Sequence, residues 1–218
     1  MVSKINKYIL DDVNKALKYY PLLRMVNNNG HIIVEGEIHL VQHPYGEVDR
    51  YNVQISFPKN YPKRFPLVIE TDNKIPRIPD RHVNSDDTLC LAVLPEELKI
   101  ARNGITFKYF LDKVLVPHLG RETYYNIEKI YPDGEYEHGK VGIWKYFEEI
   151  FNVTDKQFII NELKVIVNHN KMLERNVECI CGSGLKFKKC HLVIWNKVLE
   201  VGRENIKLIM TYLEEAYE

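Results

Sequence analysis

Three cysteines and a histidine lie within thirteen residues near the end of the chain, and this cluster constrains the fold more than any other feature. The pattern is Cys179-x-Cys181, a gap of eight residues, and then Cys190-His191. Thiolates and an imidazole in such close pairs are the donors that a tetrahedral zinc site requires. Four protein ligands leave no open position for a catalytic water. The sequence therefore predicts a structural zinc site at these four residues.

The fourth cysteine, Cys90, stands alone in the loop-like stretch from Arg81 to Leu91. It has no ligand or disulfide partner close in sequence. A lone loop thiol is a candidate nucleophile, although an isolated cysteine is more often a small buried hydrophobe. The residue pattern alone leaves both interpretations open.

The size and charge of the chain indicate an ordinary globular protein. Its 218 residues predict one main domain with a smaller appendage, and 45% of them are hydrophobic. Thirty basic and thirty acidic residues cancel, so no global field favours nucleic acid or an anionic membrane. With neither an apolar signal core nor a run of ~20 apolar residues, we expect a cytoplasmic protein with no nucleic-acid or membrane partner.

Hydrophobic periodicity predicts an α+β fold. The period is helical over residues 5–20, changes to the alternation of antiparallel strands over 32–40 and 51–57, and suggests a short strand at 67–69. Half of the ten prolines fall between Pro58 and Pro79, where fixed φ angles rule out a long helix or a central strand. We expect a rigid platform there, leading into the Cys90 loop.

The second half of the chain is predicted to be helical. Apolar spacing indicates a helix over 107–115 that is kinked or ended at Pro117, another over 143–151, and a last helical segment from Leu192 onward. Thr154 and Gln157 fit a capping box that opens a further helix through Val167. We expect a domain boundary near Asn152, with a main domain over 1–152 and a small helical zinc-binding domain over 153–218.

The order of these features resembles the ubiquitin-conjugating enzyme (UBC-like) family. The resemblance covers roughly residues 5–120 and rests on the N-terminal helix, the antiparallel strands, Tyr61-Pro62 with Pro66, His82-x-Asn84, and Cys90-Leu91. It implies a UBC-like domain with an N-terminal helix, an antiparallel sheet, an active-site loop and C-terminal helices. It also implies that Cys90 carries a protein C-terminus as a thioester.

The same resemblance assigns roles to His82 and Asn84, which fall where the family has its His-Pro-Asn motif. In the family the asparagine supports the loop and helps to stabilise the oxyanion during attack by an amine. The chain departs from the family pattern: Val83 replaces the proline, the spacing from His82 to Cys90 is short, and the usual Trp-Ser-Pro is missing. These departures look more like the bacterial relatives of the family.

The segment from Cys179 to His191 resembles the SEC-C zinc motif, named for the tail of the bacterial preprotein translocase ATPase. The resemblance implies a structural zinc ion on the four residues already named. Lys186, Lys188 and Lys189 flank the ligands. They form either a solvated basic turn or a docking surface for a partner protein.

A polar loop from Glu135 to Gly139 contains a further candidate pair, Glu137 and His138. This pair would deprotonate an attacking amine if the fold brought it to Cys90, and is otherwise part of a surface turn. Gly182-Ser183-Gly184 lies between metal ligands and does not match a nucleophile elbow. The chain also lacks a nucleotide-binding loop, so ATP-dependent activation of a carboxyl terminus would belong to an adenylating partner.

These features together predict a conjugating enzyme with a cysteine thioester intermediate. Resemblance to bacterial members implies a role in antiphage defence (CBASS), in which the conjugated protein is a cGAS/DncV-like nucleotidyltransferase joined through its C-terminus to a target amine or thiol. The alternative is a UBC-like interaction module without turnover that docks a partner through its zinc tail.

Overall fold

A four-stranded antiparallel sheet organises the first part of the protein. The computed structural model describes residues 4–28, 30–132, 134, 137–169 and 171–214. The sheet has the order β1-β2-β3-β4, with β1 at Leu23–Asn28, β2 at His31–Gln42, β3 at Gly46–Ser56 and β4 at Leu67–Glu70. The alternating segments predicted to be antiparallel strands are β2 and β3, and the short predicted strand is β4. Strand β1 was not predicted.

The pairing of β1 with β2 depends on a glycine. Gly36 lies opposite Leu23 in the register of the two strands. A Cβ atom on Gly36 would lie 2.1 Å from the carbonyl oxygen of Leu22, and the φ angle of Gly36 is 137°. Any other residue at this position would push β1 away from β2.

Helices pack against the sheet to form the first hydrophobic core. Around the sheet, helix α1 spans Lys4–Leu17 and α3 covers Phe107–Phe110, while α2, at Leu94–Ala101, belongs to the helical core described below; a π-helical turn at Leu111–Leu115 then joins α3 directly to α4 at Val116–Glu128. Of these, α1 and α4 both contact β2. The core consists of fully buried apolar residues of the sheet and these helices, among them Val13, Val34, Ile55, Val68, Phe107, Phe110, Leu115 and Leu119.

A second, helical core lies in the last part of the chain. Helix α5 spans Gly139–Phe151, α6 spans Lys156–Asn168, α7 spans Leu192–Val201 and α8 spans Arg203–Glu214. They share one cluster of buried side chains, which includes Phe147, Leu163, Trp195, Ile206 and Ile209. In the part of the chain that the structure describes, none of the helices combines the length and apolarity needed to cross a bilayer.

The two cores correspond to two compact units. The first unit contains Met1–Ala92 and Asn103–Glu135, and the second contains Val93–Arg102 and Tyr136–Glu218. The predicted domain boundary near Asn152 stays a prediction. In this division α2 and α5 belong to the second unit, because they carry apolar side chains such as Leu98 and Ile143, which are buried in its helical cluster.

Three helix ends differ from the sequence-based expectation. Of the two predicted outcomes at Pro117, a kink or an end, the end is wrong, because the chain passes from the π-helical turn directly into α4, whose first turn contains Pro117. The N-cap of α6 is Asp155, which accepts the N–H of Phe158 at 3.0 Å, so Thr154 does not form the predicted capping box. The last helical segment is divided at Gly202, whose φ of 98° ends α7.

A buried carboxylate braces the proline-rich platform. Asp12 of α1 is 8% exposed and accepts hydrogen bonds from the Tyr61 hydroxyl and, at 2.8 Å, from the N–H of Phe107. Burial, together with the nearby Asp12 carboxylate, raises the pKa of Tyr61, so its hydroxyl keeps the proton that it donates. One side chain thus links α1, the platform and the start of α3.

We expect Tyr61→Phe to destabilise the protein. The change removes one buried hydrogen bond to a charged acceptor and leaves the Asp12 carboxylate underbonded, which costs about 1–3 kcal/mol of unfolding free energy. Urea denaturation measures the effect. Tyr19→Phe, which removes a hydroxyl from a side chain that is mostly exposed, is the matched control. Equal stability of the two variants would contradict the role given to Asp12.

Candidate functional site

The loop that carries Cys90 is held in one conformation by its own backbone. Val83 and Leu89 form an antiparallel bridge, and inside it the N–H of Asn84 donates to the carbonyl of Thr88 at 2.8 Å. The N–H of Leu89 donates to the carbonyl of Val68 at 2.7 Å, which fastens the loop to β4. Few conformational degrees of freedom are left to the residues just before Cys90.

Cys90 and His82 lie side by side at the base of this loop. The N–H of Cys90 donates to the carbonyl of His82 at 2.6 Å, and the Cys90 sulfur lies within 4.8 Å of a His82 ring nitrogen. Cys90 is half-buried, whereas His82 is 9% exposed. A partly accessible thiol beside a buried imidazole is the arrangement in which a histidine can take the proton of a cysteine.

Asn84 lies at the exposed end of the loop. Its side-chain amide donates to the hydroxyl of Thr88 at 3.0 Å, and that hydroxyl donates to Asp86 at 2.6 Å. The hydrogen bond from the Thr88 side chain holds the pKa of Asp86 below its usual value. In this structure the amide of Asn84 supports the turn, and its predicted role towards an oxyanion at Cys90 stays a prediction.

A buried ion pair lies behind the loop, and sequence reasoning missed it. Arg81, the residue before His82, donates from Nε and Nη2 to Glu122 of α4 at 3.2 and 2.7 Å, and from Nη2 to Asn126 at 2.8 Å. Arg81 is 7% exposed and Glu122 is fully buried. The hydroxyl of Tyr131 donates to the other Glu122 oxygen at 2.5 Å. The signal that sequence reasoning could have used was Glu122 itself, a charged residue on the buried face of a helix.

A second histidine, His118, is buried beside His82. The ring centroids are 6.0 Å apart. Burial, with smaller contributions from His82 and Arg121, lowers the pKa of His118 to about 3. Its Nε2 atom has no hydrogen-bond partner among the described residues. His118 is therefore neutral at physiological pH.

The candidate pair Glu137 and His138 belongs to the second compact unit. Glu135 and Tyr136, from the same polar loop, lie outside the described residues. His138 is the residue before α5, and its carbonyl accepts the N–H of Gly142 at 3.4 Å. The use of this pair as a base near Cys90 stays a prediction.

The four predicted metal ligands converge in the second unit. Gly182 and Gly184 adopt φ angles of 76° and 70° and reverse the chain between Cys181 and Cys190. The N–H of Cys179 donates to the carbonyl of Leu185 at 2.7 Å, which closes this turn. His191 immediately precedes α7, so the helix fixes its position.

The geometry of the four ligands fits zinc. Their donor atoms lie within 4.8 Å of one another. The Cys179 and Cys190 sulfurs are 3.3 and 3.1 Å from Nδ1 of His191, and the Cys181 and Cys190 sulfurs are 3.6 Å apart. A tetrahedral ion about 2.3 Å from sulfur and about 2.0 Å from nitrogen has ligand separations of roughly 3.5 to 3.8 Å. The sulfur–sulfur distance lies in this range, and the two distances to His191 are slightly shorter. A Cys₃His donor set at these separations suits a structural ion.

The surroundings of the metal centre differ between its thiols. Burial raises the pKa of Cys179 to about 11, whereas a hydrogen bond from the Ser183 side chain lowers the pKa of Cys181 to about 6. Metal binding would therefore displace a proton from Cys179. On the other side of the imidazole, Nε2 of His191 lies 3.9 Å from a carboxylate oxygen of Glu162 on α6. This ion-pair separation is longer than the hydrogen bond by which carboxylates commonly orient metal-binding histidines.

Comparison with known proteins gives one match. Residues 175–192 match the family model of the SEC-C motif, which covers less than a tenth of the chain. Neither the curated proteins nor the solved structures that were compared gave a match. The match and the Cys₃His geometry together support a metal-binding knuckle, and they leave the rest of the chain unassigned.

We expect the purified protein to contain about one zinc ion per chain. Cys181→Ser should lower the zinc content and the melting temperature, because structural zinc contributes on the order of 10 kcal/mol to the folding of a small site. Cys90→Ser is the matched control, since it also removes one thiol but should keep the zinc. Elemental analysis of protein prepared without chelators measures both. Zinc loss of equal size in the two variants would show that these ligands do not hold the ion.

Acid should destabilise the protein through His118. The unfolded chain binds a proton at this residue near pH 6.5 and the folded chain near pH 3. Between these values the unfolded state holds more protons, so the unfolding free energy falls by up to about 1.4 kcal/mol for each pH unit lost. His118→Gln should flatten this slope in urea titrations between pH 6.5 and 4.5, whereas His31→Gln, at an exposed position, should keep it. Parallel slopes for His118→Gln and the wild type would contradict the buried neutral state.

Proposed function

We propose that the protein is a UBC-like conjugating enzyme that carries a protein C-terminus as a thioester on Cys90. The Cys90 sulfur attacks the carbonyl carbon of an activated C-terminus, a C–S bond forms, and the activating group leaves with its electron pair. An amine or thiol of a target then attacks the same carbon, and the Cys90 thiolate is released. The first step needs an acyl donor from an adenylating partner.

The observation that carries this proposal is the pairing of Cys90 with His82. The sulfur is partly accessible and lies within 4.8 Å of a ring nitrogen. The imidazole can accept the thiol proton as the sulfur attacks and return it to the leaving group. Because the loop is bonded to itself and to β4, the pair keeps its geometry without being ordered by a substrate.

The arrangement of elements is consistent with the same proposal. The chain runs from α1 through an antiparallel meander and a braced proline-rich platform to the cysteine loop, which is the order that the resemblance to UBC-like proteins implies. Asn84 stabilises the turn before Cys90 through Thr88, as the loop-supporting asparagine of that family would. These features favour acyl transfer over other cysteine chemistry.

The biological setting belongs to the proposal as well. By analogy with bacterial UBC-like proteins, the conjugated protein is a cGAS/DncV-like nucleotidyltransferase in a CBASS antiphage system. Such a system operates in the cytoplasm, which is a reducing compartment that keeps Cys90 and the zinc thiolates from forming disulfides.

The zinc knuckle supports a second candidate function, that of an interaction module. Ile180 and Leu185 are about half exposed next to the metal ligands, and three exposed lysines, Lys186, Lys188 and Lys189, follow them. Apolar side chains with a basic rim suit contact with an acidic partner protein. In a conjugating enzyme this surface would position the substrate. In an interaction module, binding a partner through this surface would be the only function.

Acylation by a synthetic peptide thioester tests the enzyme without its activating partner. We expect the native protein to form a peptide adduct on Cys90 that hydroxylamine removes, and Cys90→Ala to form none at this position while keeping its zinc. His82→Gln should slow adduct formation by about tenfold, because proton transfer assists the attack. Mass spectrometry after proteolysis locates the adduct.

Two results would contradict the proposal. One is a Cys90 that reacts no faster in the native protein than in urea, which would make it an ordinary thiol and favour the interaction module. The other is a His82→Gln protein that is acylated at the wild-type rate, which would remove the imidazole from the mechanism.

A further inference from the structure

One face of α4 is polar where it meets the Cys90 loop. His118, Glu122 and Asn126 follow one another at intervals of four residues, so they lie on the same side of the helix. His118 and Glu122 are buried. Buried polar groups in such a row lower the stability of the fold unless they are well paired. Glu122 takes no direct part in the proposed acyl transfer.

Glu122 holds the two residues that flank His82. One of its carboxylate oxygens accepts both hydrogen bonds from Arg81, which is bonded to His82 through the chain, and the other accepts the hydroxyl of Tyr131. The ring of Tyr131 lies edge-on to the ring of His82, with centroids 5.1 Å apart. Arg81 is further stacked on Tyr125 at 4.4 Å.

His82 itself has little freedom to compensate for a movement of these neighbours. Its backbone is left-handed, with φ of 53°, a conformation that a non-glycine residue keeps only when its surroundings impose it. Its N–H donates to the carbonyl of Pro79 at 2.8 Å. The ring position therefore depends on Arg81 from the backbone side and on Tyr131 from the ring side.

We infer that Glu122 is a positioning residue for the chemistry of Cys90, because it fixes Arg81 and Tyr131 and through them the imidazole of His82 beside the sulfur. This inference rests on the proposed role of Cys90 as the nucleophile. Glu122 lies on α4 and would act in addition to Cys90 and His82, the two residues that the proposed reaction uses directly.

The ionisable groups of the first unit around this imidazole favour the same assignment. His118 is neutral because burial lowers its pKa, and Tyr131 keeps its proton because burial and Glu122 raise its pKa. The charge of Arg81 is balanced by Glu122. These three neighbours of His82 in this unit therefore keep fixed charge states at neutral pH.

The pH dependence of Cys90 alkylation by iodoacetamide tests the inference on the full-length, zinc-loaded protein. Rates are followed between pH 5.5 and 9 by mass spectrometry of the Cys90 peptide. The informative variants are Glu122→Gln and the milder Tyr131→Phe, which removes only the hydroxyl that Glu122 accepts. Tyr124→Phe, an exposed tyrosine of the same helix, is the control.

We expect Glu122→Gln and Tyr131→Phe to move the midpoint of the profile towards that of the urea-unfolded chain and to lower the rate at pH 7 by about fivefold. Tyr124→Phe should leave the profile unchanged. His82→Gln should produce the same loss, and adding Tyr131→Phe to it should produce no further loss, because both changes act on one pair.

A wild-type profile in a folded Tyr131→Phe protein would overturn the inference. The inference would also be overturned if Tyr131→Phe lowered the alkylation rate equally in the wild type and in the His82→Gln protein, because such a loss would reflect a general loosening of the fold. Tyr131→Phe decides the question if Glu122→Gln does not fold. Failure of the peptide thioester to acylate Cys90, combined with the expected alkylation profiles, would reject the proposed function and keep the positioning role.

Discussion

The buried ion pair between Arg81 and Glu122 sets the relation between the cysteine loop and α4. Removing two charges from water costs several kcal/mol per ion, and only close pairing with further hydrogen bonds offsets this. Tyr131 and Asn126 supply those bonds. Loss of either charge would leave the other buried and uncompensated, at a cost of about 3–5 kcal/mol. The backbone hydrogen bonds of the loop set its conformation, and the ion pair sets its position against a helix that lies far from it in sequence.

The predictable parts of the structure are those whose signals are local. Strands β2 and β3 follow from side chains that alternate in polarity, and the metal cluster follows from ligand types at short spacing. The pairing of Arg81 with Glu122 had no such local signal, because the two residues lie 41 positions apart in sequence and meet only in the folded protein. The proline at 117 also concealed α4: a proline in the first turn is compatible with a helix, but the sequence pattern favoured an interruption there.

In the metal centre, too, some residues could be predicted from the local sequence and others only from the tertiary structure. Its four ligands lie within thirteen residues and were predicted together, whereas Glu162, which faces His191, comes from α6. Cys179 is buried in the helical core while Cys181 is exposed, a difference that ligand spacing does not encode. An ion held here would join the knuckle to the helices that surround it, because His191 leads directly into α7.

The π-helical turn at Leu111–Leu115 has a consequence for the evolution of the chain. Such a turn contains one more residue than the α-helical path between the same ends, and each helical residue rotates the following side chains by about 100°. Deleting one residue there would restore a regular α-helix between the same ends, so Glu122 would still face Arg81. A deletion in the turn is therefore compatible with the ion pair, whereas a deletion in α4 before Glu122 would rotate this residue by about 100° and separate it from Arg81.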